Sequence, residues 1–345
     1  MRFAFIADIH LSRYTQDTLE DESHLPERLH SIRKALYEVA DYCVKNDIRV
    51  VVIGGDLLHG KSVIYAIAQE IMIQYFEDYA DTLIFYVIDG NHDLSGKGDD
   101  VVSALRPLQN INNVRWISFD NTFRHEEHDI LYVPYSKQLP KIIKENRARI
   151  LISHFGLSEG ILNSGMSIIS DVSMSDLDGR YELVLVGHYH KPQEIIRPTI
   201  SLYYGGSLIQ LDWGEREDEK RFLVVDSDTL KVDSIPITGY RKHVQIEIDA
   251  NNKDEAIKAA QAAQAAGDHV KVIMKETVDL TGFKGEFNII DKTDRDITDR
   301  GITSNMSTED KLRRYLSIKE IPEEQHDMYL SVAMEIIRKG DESIV

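Results

Sequence analysis

Short apolar runs rich in β-branched residues recur along the first half of the chain. Each is too short for a helix and is bounded by turn-forming residues, which is typical of buried strands. The predicted strands are Arg2–Ala7, Arg49–Ile53, Leu83–Ile88, Arg149–Ser153 and Leu183–Val186. Helical spacing of apolar residues predicts one helix after Pro26, between the first two strands, and a second at about Ser62–Tyr79, before the third.

This alternation of strand and helix predicts parallel strands joined by crossover connections. Further strand patterns follow without helices between them, and they predict a second, more antiparallel sheet packed on the first. These strands are Val114–Phe119, Ile130–Tyr135, Ile200–Tyr204, Arg221–Val225 and Lys231–Ile235. The expected fold class is therefore α/β, a two-sheet sandwich flanked by helices that ends near Tyr240.

The pattern changes to smaller units after the sandwich. Strand patterns at His243–Ile248 and Val270–Met274 flank an Ala-rich helix closed by Gly267, which predicts a small β-α-β unit. A polar, charge-mixed stretch follows and is typical of a linker. Ser307 and Pro322 then mark the starts of two amphipathic helices. The expected divisions are 1–240, 241–280, 281–306 and 307–345.

Composition limits the function classes. The chain has 345 residues and a net charge of −18, which argues against a protein that binds nucleic acid through general positive charge. No run reaches the roughly 18 apolar residues of a membrane span. The single cysteine, Cys43, lies on the apolar face of a predicted helix and fits the reducing cytoplasm, where we expect the protein.

One local cluster of basic residues departs from this acidic balance. It consists of Lys137, Lys141, Lys144, Arg147 and Arg149. A nucleic-acid contact is one interpretation, but a solvated helix face explains the cluster at least as well.

Residues able to bind metal follow each of the five buried strands. Open α/β sheets bind ligands at the carboxyl ends of their strands, so these residues are expected to converge on one crevice. The segments are Asp8-Ile9-His10, Gly54-Gly55-Asp56, Gly90-Asn91-His92-Asp93, Ser153-His154 and Gly187-His188-Tyr189-His190. A single segment of this kind is common by chance, whereas five such segments, each at the end of a strand, indicate a metal site.

The donor types point to a definite chemistry. Aspartate, asparagine and histidine offer oxygen and imidazole nitrogen without thiolate, which favours Mn²⁺, with Mg²⁺, Fe²⁺ or Zn²⁺ as alternatives. Seven candidate ligands are too many for one ion and suit two that share a bridging carboxylate. Two ions roughly 3.5–4 Å apart can hold a phosphate and generate hydroxide near neutral pH. The sequence therefore predicts two-metal phosphoester chemistry.

These segments resemble the motifs of the calcineurin-like metallophosphoesterase superfamily over roughly residues 1–240. Within it, the chain is similar to the Mre-eleven/SbcD DNA double-strand-break nucleases, most of all to the short form of T-even-like bacteriophages, which would place it in a host cytoplasm. The resemblance implies that Asp8, His10, Asp56 and His190 hold one ion. It implies that Asp56, Asn91, His154 and His188 hold the other, with Asp56 bridging.

The same resemblance suggests roles for the neighbours of the ligands. His92 matches the histidine that contacts the scissile phosphate and is thought to protonate the leaving oxygen, a role that suits imidazole. Asp93 either orients His92 or caps a helix. His59 stands where the nucleases carry histidine and phosphoprotein phosphatases carry aspartate. The segment Tyr204-Gly205-Gly206-Ser207 resembles the family's Gly-Ser turn near the crevice.

The resemblance also implies partners. In the family, a C-terminal helix–loop–helix binds the coiled coil of an SMC-like ATPase, and here residues 307–338 would do so. From the residues alone, the two helices either pack on each other or present an apolar face to a partner. Residues 241–280 would be the capping domain beside the DNA. A homodimer is expected, for which Ile64, Ile71 and Tyr75 are candidate contacts.

The leading hypothesis is a Mn²⁺-dependent DNA nuclease, an exonuclease on duplex ends and an endonuclease on single strands, acting with an ATPase in recombination, repair and replication. A small-molecule phosphodiesterase or phosphatase of the same superfamily is the enzyme alternative, and it gives residues 307–338 no role. A scaffold with a vestigial metal site is the non-enzyme alternative. Every ligand position is filled, which disfavours the scaffold.

Overall fold

A computed structural model describes residues 1–14, 25–60, 63–96, 100–165, 170–275, 278, 280, 287–291 and 306–343. The chain divides into two compact units. The first comprises Met1–Gln245 with Gln261–Val270, and the second comprises Ile246–Ala260 with Lys271–Val345. The predicted 241–280 unit therefore contributes residues to both.

Strands and helices alternate in the first half of the chain, as the sequence predicts. In chain order the elements are β1 (Arg2–Ile6), α1 (Glu27–Lys45), β2 (Val50–Ile53), α2 (Ala66–Asp78), β3 (Ile84–Ile88), β4 (Leu94–Ser95), β5 (Val102–Ser103), β6 (Val114–Ile117), β7 (Phe123–His125), β8 (Ile130–Val133), α3 (Leu139–Glu145), β9 (Ile150–His154), α4 (Met174–Leu177), β10 (Leu183–Gly187), β11 (Gln193–Arg197), β12 (Ile200–Tyr204), β13 (Arg221–Asp226), β14 (Lys231–Pro236), β15 (His243–Ile248), α5 (Lys253–Ala265), β16 (His269–Met274), β17 (Asn288–Asp291), α6 (Thr308–Ile318) and α7 (Glu323–Ser343).

Two mixed six-stranded sheets form the first unit. The first has the order β14-β13-β1-β2-β3-β6, with β1, β2, β3 and β6 parallel and β13 antiparallel to β1. The second has the order β11-β12-β10-β9-β8-β7, with β8, β9, β10 and β12 parallel and both edge strands antiparallel. The predicted two-sheet α/β fold is confirmed.

The predicted grouping of strands into sheets is wrong. The fourth and fifth buried strands, β9 and β10, belong to the second sheet and are parallel there, whereas β6, β13 and β14 complete the first. The second sheet is thus no more antiparallel than the first. The candidate metal-binding residues therefore come from both sheets. Three of their strands, β1, β2 and β3, belong to the first sheet, and two, β9 and β10, belong to the second.

Successive side chains of a strand point to opposite faces of its sheet, and three apolar layers form as a result: one between the sheets and one on the outer face of each. On β1, Phe3 and Phe5 lie between the sheets with side chains of β9 and β10, while Ala4 and Ile6 pack beneath α1 and α2. Residues of α3 and α4 cover the outer face of the second sheet. This period of two is that of a strand buried on both faces.

The helices begin and end close to their predicted positions. Pro26 precedes α1, and Cys43 on that helix is buried. Helix α2 begins at Ala66 rather than near residue 62. Ile71 and Tyr75 belong to the core under this helix, so they are not the dimer contacts that we considered, whereas Ile64 is exposed.

A third sheet, with the order β15-β16-β17, accounts for the predicted β-α-β unit. Gly267 follows α5 with φ +88°, which only glycine adopts freely, so it ends the helix as predicted. Part of the predicted linker is structured, since Asn288–Asp291 forms β17 parallel to β16. Apart from 287–291 and 306, the linker lies outside the described residues.

The last two helices form a hairpin in the second unit. The hydroxyl of Ser307 accepts a hydrogen bond from the backbone amide of Asp310 at 3.0 Å, which confirms the predicted N-cap of α6. Arg313 pairs with Asp327 at 3.0 Å, and the Leu330 side chain is buried. Among the side chains that the structure describes in this hairpin, six large apolar ones nevertheless stay exposed: Tyr315, Ile318, Met328, Tyr329, Val332 and Met334. Helical spacing also predicts Ile336 and Ile337 for the apolar face of the last helix, and their side chains lie outside the described part.

Candidate metal centre

The loops that follow five strands bring the seven predicted ligands into one cluster within the first unit. Each ligand stands at or just after the carboxyl end of its strand. Asp8 and His10 follow β1, Asp56 follows β2, Asn91 follows β3, His154 ends β9, and His188 and His190 follow β10. Parallel packing of the strands thus gathers residues that are up to 182 positions apart (190 − 8) in the sequence.

Asp56 lies at the middle of this cluster and is 2% exposed. Its Oδ2 lies 3.4 Å from His154 Nε2 and 3.7 Å from His10 Nε2, so the carboxylate faces histidines of both predicted ion sites. Its Oδ1 accepts a hydrogen bond from the backbone amide of His92 at 2.8 Å. The position between His10 and His154 is the one that a bridging carboxylate needs.

Asp8, His10 and His190 form one side of the cluster. Their ligand atoms lie within 4.8 Å of one another, and the two Nε2 atoms of His10 and His190 are 2.9 Å apart. The Asp8 carboxylate accepts hydrogen bonds from the backbone amide of His188 at 2.9 and 3.0 Å. This amide joins the end of β10 in the second sheet to the end of β1 in the first.

Asn91, His154 and His188 form the other side. The side-chain oxygen of Asn91 lies 3.0 Å from His154 Nε2 and 3.0 Å from His188 Nδ1. His154 Nδ1 lies 2.8 Å from the carbonyl oxygen of Gly54, to which it donates, so Nε2 is the nitrogen that faces Asn91 and Asp56. The Nε2 of His154 and the Nδ1 of His188 thus both contact the side-chain oxygen of Asn91.

The backbone around these ligands is unusual. Of the nine non-glycine residues with positive φ in the described part of the chain, four are predicted ligands: Asp8, His10, Asp56 and His188. Such conformations are costly for side chains other than glycine, and they concentrate at functional sites. Gly90 shows how close the approach is, because a Cβ there would lie 2.2 Å from Asp56 Oδ1.

Burial and neighbouring charges shift the protonation of the cluster. Burial lowers the pKa of His188 to about 3 and that of His10 well below its ordinary value, so both imidazoles are neutral and can donate a lone pair. Burial also lowers the pKa of His154, but the carboxylates of Asp56 and Asp8 outweigh it and raise that pKa to about 9. The buried carboxylates thus attract positive charge.

These features fit two divalent cations. The donors are carboxylate, amide oxygen and imidazole. Three three-residue groups converge among the described residues: Asp8, His10 and His190; Asp8, Asp56 and His154; and, at the rim, His10, His59 and His92. Buried carboxylates without a cation are costly, and a pair of Nε2 atoms at 2.9 Å requires a cation or proton between them. The predicted ligand set is thus gathered in one place with suitable chemistry, and the division of ligands between the ions stays a prediction.

His92 and His59 lie at the rim of the cluster as a stacked pair. Their ring centroids are 5.4 Å apart at an interplanar angle of 16°. His92 Nδ1 lies 3.0 Å from the backbone carbonyl of His59, to which it donates. Since Nδ1 is engaged, Nε2 is the nitrogen left to exchange a proton. His59 therefore orients His92 through its carbonyl and supports it by stacking.

Asp93 is fully buried and connects two loops. Its carboxylate accepts hydrogen bonds from the backbone amides of Leu58 and Gly90, both at 2.8 Å. Strand β4 follows it rather than a helix, so the interpretation as a helix cap is wrong. Its partners are backbone amides, which gives Asp93 a structural part in placing Asn91 and His92. A direct catalytic role stays a prediction.

Three residues beside the site are not predicted by the sequence pattern, or are predicted only as part of a turn. Glu215 and Lys220 form a buried ion pair behind His190, and the Ser207 hydroxyl joins it. Glu215 belongs to a charged stretch, Glu215–Lys220, that is typical of solvated surface. Its composition gives no sign of which acid is buried, whereas Ser207 at least followed a glycine pair that resembled a family motif.

The side chains of two of the five residues of the basic cluster form hydrogen bonds within the described chain. Lys144 donates to the carbonyl of Asp171 at 2.9 Å, and Arg149 donates to the carbonyls of Ser227 and Asp228. Lys137, Lys141 and Arg147 are exposed. A solvated face accounts for most of the cluster. Within the described residues, no helix combines the length and apolar character of a membrane span.

Comparison with known proteins identifies the family. Residues 1–192 match the model of the calcineurin-like phosphoesterases. Because the match covers more than half of the 345 residues, the chain belongs to the calcineurin-like phosphoesterase family. The family is one of two-metal enzymes, and the chain is accordingly a metal-dependent phosphoester hydrolase. The resemblance to the superfamily is confirmed.

Two relatives are similar to this chain at low identity. Phosphoesterase 244L of Invertebrate iridescent virus 6 is 25% identical over 189 residues, which are 53% of this chain and 66% of the relative. The DNA double-strand break repair protein Mre11 of Archaeoglobus fulgidus is 21% identical over 291 residues, 76% of this chain and 63% of the relative. The chain thus spans slightly less than two thirds of each. A dimetal phosphatase of Danio rerio has a similar structure, with a TM-score of 0.44, 10% identity and coverage of 69% of this chain and 99% of that one.

Proposed function

We propose that this calcineurin-like phosphoesterase is a Mn²⁺-dependent nuclease that cleaves phosphodiester bonds of DNA. The observation that carries the proposal is the stacked pair of His59 and His92 at the rim of the metal cluster. A leaving alkoxide of DNA requires a proton, and a histidine fixed at the rim is placed to give it. The match to the archaeal break-repair protein supports the proposal, because its 291 residues exceed the 192 of the phosphoesterase match.

The ligands have separate tasks in this proposal. Asp8, His10 and His190 with Asp56 would hold one ion, and Asn91, His154 and His188 with Asp56 the other. Bound there, divalent ions supply charge stabilisation of the phosphate and water activation near neutral pH. The buried aspartates hold this charge in a protein whose net charge is −18, and so they make a phosphodiester-binding site in an acidic chain.

His92 performs the proton transfer. The hydrogen bond from Nδ1 to the His59 carbonyl fixes the ring, and the proton on Nε2 passes to the leaving oxygen. His59 keeps the ring in place by stacking at 5.4 Å. Asp93 fixes the loop that carries His92, since it holds the amides of Leu58 and Gly90.

The last two helices carry the proposed partner site. The exposed apolar set of α6 and α7, defined above by its six members, includes Met328 at 57% and Val332 at 53% exposure. Apolar faces of this kind suit a helical partner that covers them. We propose that residues 307–338 bind the coiled coil of an SMC-like ATPase, which would couple the nuclease to recombination, repair and replication.

The test of the nuclease proposal compares DNA with simple esters. Purified protein with Mn²⁺ is given linear duplex DNA, circular single-stranded DNA and bis-p-nitrophenyl phosphate, each with and without the ATPase. Cleavage of DNA is expected, and chelation of the metal should stop it. An Asp8→Asn variant purified in the same way reports contaminating nucleases. Ester hydrolysis without DNA cleavage in any condition would favour a small-molecule phosphodiesterase and overturn the proposal.

A further inference from the structure

A buried ionic network lies directly behind His190. Glu215 is 2% exposed and Lys220 is fully buried. Lys220 Nζ lies 2.7 Å from Glu215 Oε2, and the other carboxylate oxygen, Oε1, accepts a hydrogen bond from His190 Nδ1 at 2.8 Å. Lys220 thus offsets the charge of Glu215, and its Nζ also lies 3.3 Å from Asp218 Oδ2. The ring of His190 uses the Glu215 oxygen that Lys220 leaves available.

The network holds His190 by its backbone as well as by its ring. Lys220 Nζ donates to the His190 carbonyl oxygen at 3.0 Å and to the Ser207 hydroxyl at 2.8 Å. The backbone amide of Ser207 donates to the same carbonyl at 3.1 Å. The backbone amide of Leu211 donates to Glu215 Oε2 at 3.0 Å. A buried charge pair is destabilising unless its remaining groups are satisfied, and here they are.

The contact with Glu215 decides which nitrogen of His190 faces the cluster. Nδ1 donates its hydrogen to the carboxylate, so the lone pair resides on Nε2, which lies 2.9 Å from His10 Nε2. A carboxylate partner also makes an imidazole a stronger ligand than a carbonyl partner does. His154, on the other side of the cluster, has the Gly54 carbonyl as its partner.

We propose that Glu215, held by Lys220 and Ser207, is a positioning residue that sets the tautomer of His190 and strengthens metal binding at the side of the cluster formed by Asp8, His10 and His190. The proposal rests on the metal-binding function proposed above and deepens it. It predicts an asymmetry: loss of the Glu215 charge weakens one of the two ions and spares the other.

Titration of the metal-free protein with Mn²⁺, followed by electron paramagnetic resonance, measures this asymmetry without any use of activity. Wild type should bind two ions. The Glu215→Gln variant, which keeps an oxygen acceptor but removes the charge, should bind one ion with unchanged affinity and the other about 10- to 100-fold more weakly. Glu215→Asp should recover part of the loss.

Glu27 provides a matched control. It is a buried glutamate whose Oε2 lies 2.7 Å from His269 Nε2, so it forms the same kind of pair away from the cluster. Glu27→Gln should leave both Mn²⁺ affinities unchanged. Thermal melting of each variant shows whether it is folded. If Glu215→Gln does not fold, Ser207→Ala, which removes only one hydroxyl from the network, should still weaken the same ion.

The outcomes separate the two proposals. Wild type that binds fewer than two ions contradicts the two-metal function itself. Wild type that binds two ions, with Glu215→Gln and Ser207→Ala binding both at wild-type affinity, overturns the positioning role of Glu215. Equal weakening of both ions by Glu215→Gln also overturns it, because the contact then supports the whole cluster rather than His190.

Discussion

The metal centre and the terminal helix pair depart from ordinary protein anatomy in opposite ways. The first buries charge, with Asp8 at 0% and Asp56 at 2% exposure, whereas the second exposes apolar side chains, with Met328 at 57%. Buried charge and exposed apolar surface are the informative exceptions to the usual distribution of residues. The two exceptions differ in kind, because cations stabilise buried carboxylates, whereas contact with another apolar surface stabilises exposed apolar side chains.

The two regions also differ in the number and kind of contacts that hold their side chains in place. The ligands of the centre are held by bonds from two sheets, such as the amide of His188 to Asp8 and the Nδ1 of His154 to Gly54. The helix pair is joined by the Arg313–Asp327 pair and the buried Leu330. We therefore expect changes in the centre to abolish chemistry, and changes in the helix pair to affect association alone.

Replacement of Asp56 by alanine should break the centre most completely. Both proposed ions lose their shared carboxylate, so DNA cleavage should fall roughly 10⁴-fold, equivalent to several kcal/mol of lost charge stabilisation. Mn²⁺ titration should show weakened binding of both ions. Asp226→Ala, at the end of β13, is the control and should retain both ions and activity. Normal cleavage by Asp56→Ala would contradict the bridging position.

Replacement of His92 by alanine should separate proton transfer from metal binding within the centre. We expect kcat for DNA to fall about 100- to 1000-fold while two Mn²⁺ ions still bind, because His92 acts as an acid and not as a ligand. Steady-state kinetics and metal titration measure the two effects. His125→Ala, on β7, removes a histidine outside the cluster and should change neither. Loss of an ion from His92→Ala would show that His92 is a ligand.

Replacement of Val332 by aspartate should affect the helix pair alone. A charge in the centre of the proposed interface should weaken ATPase binding about 30-fold, or about 2 kcal/mol, and leave Mn²⁺ binding intact. Titration calorimetry with the partner measures this. Ser331→Asp places the same charge about 100° round the same helix and should weaken binding less. Equal effects of both variants would argue that charge, not the apolar face, determines association.

The smallest expected effect concerns a buried polar group that lies outside both regions. His243 is 7% exposed, and its Nδ1 has no hydrogen-bond partner within the described chain. Burial, followed by the nearby His269, lowers its pKa from 6.5 to about 4, against the opposing carboxylates of Glu27 and Asp212; Arg28 adds to the lowering.

The sign of the pH dependence follows from this lowered pKa. Below pH 6.5 the unfolded chain takes up a proton on His243 that the folded chain refuses until about pH 4. The stability contribution is thus complete above pH 6.5 and is lost as the pH falls toward 4. Between pH 7 and pH 5, Tm of the wild type should fall roughly 3–5 °C more than Tm of His243→Phe. Parallel pH profiles of the two proteins would refute the assignment.

The local sequence pattern predicts most of the candidate metal ligands but few of the residues that hold them in place. Strand ends are marked by a change from β-branched residues to glycine and metal-binding side chains, so Asp8, Asp56 and His154 were identifiable. Sheet membership depends on long-range pairing, which periodicity does not record, and β9 and β10 were therefore assigned to the wrong sheet. Glu215 was missed because burial of one acid in a charged stretch is decided by the fold around it.

The helix pair was predicted equally well as a pair, but its two faces were not separable. Helical spacing predicts an apolar face with Tyr329, Val332 and Ala333 on the second helix, but it does not indicate which side chains the hairpin covers. In the structure Leu330 is buried while Tyr329 and Val332, one and two residues away, are exposed. A spacing pattern gives the direction of a side chain around its helix axis, and only the partner helix decides which direction is inside.

The left-handed backbone of Asp8, His10, Asp56 and His188 has an evolutionary consequence. Glycine adopts positive φ without strain, so a glycine at any of these positions would relax the fold while removing a ligand. Selection for a more stable fold and selection for catalytic activity thus favour different residues at these four positions. A lineage released from the need for hydrolysis would be free to drift toward glycine there and to become a sturdier, inert relative.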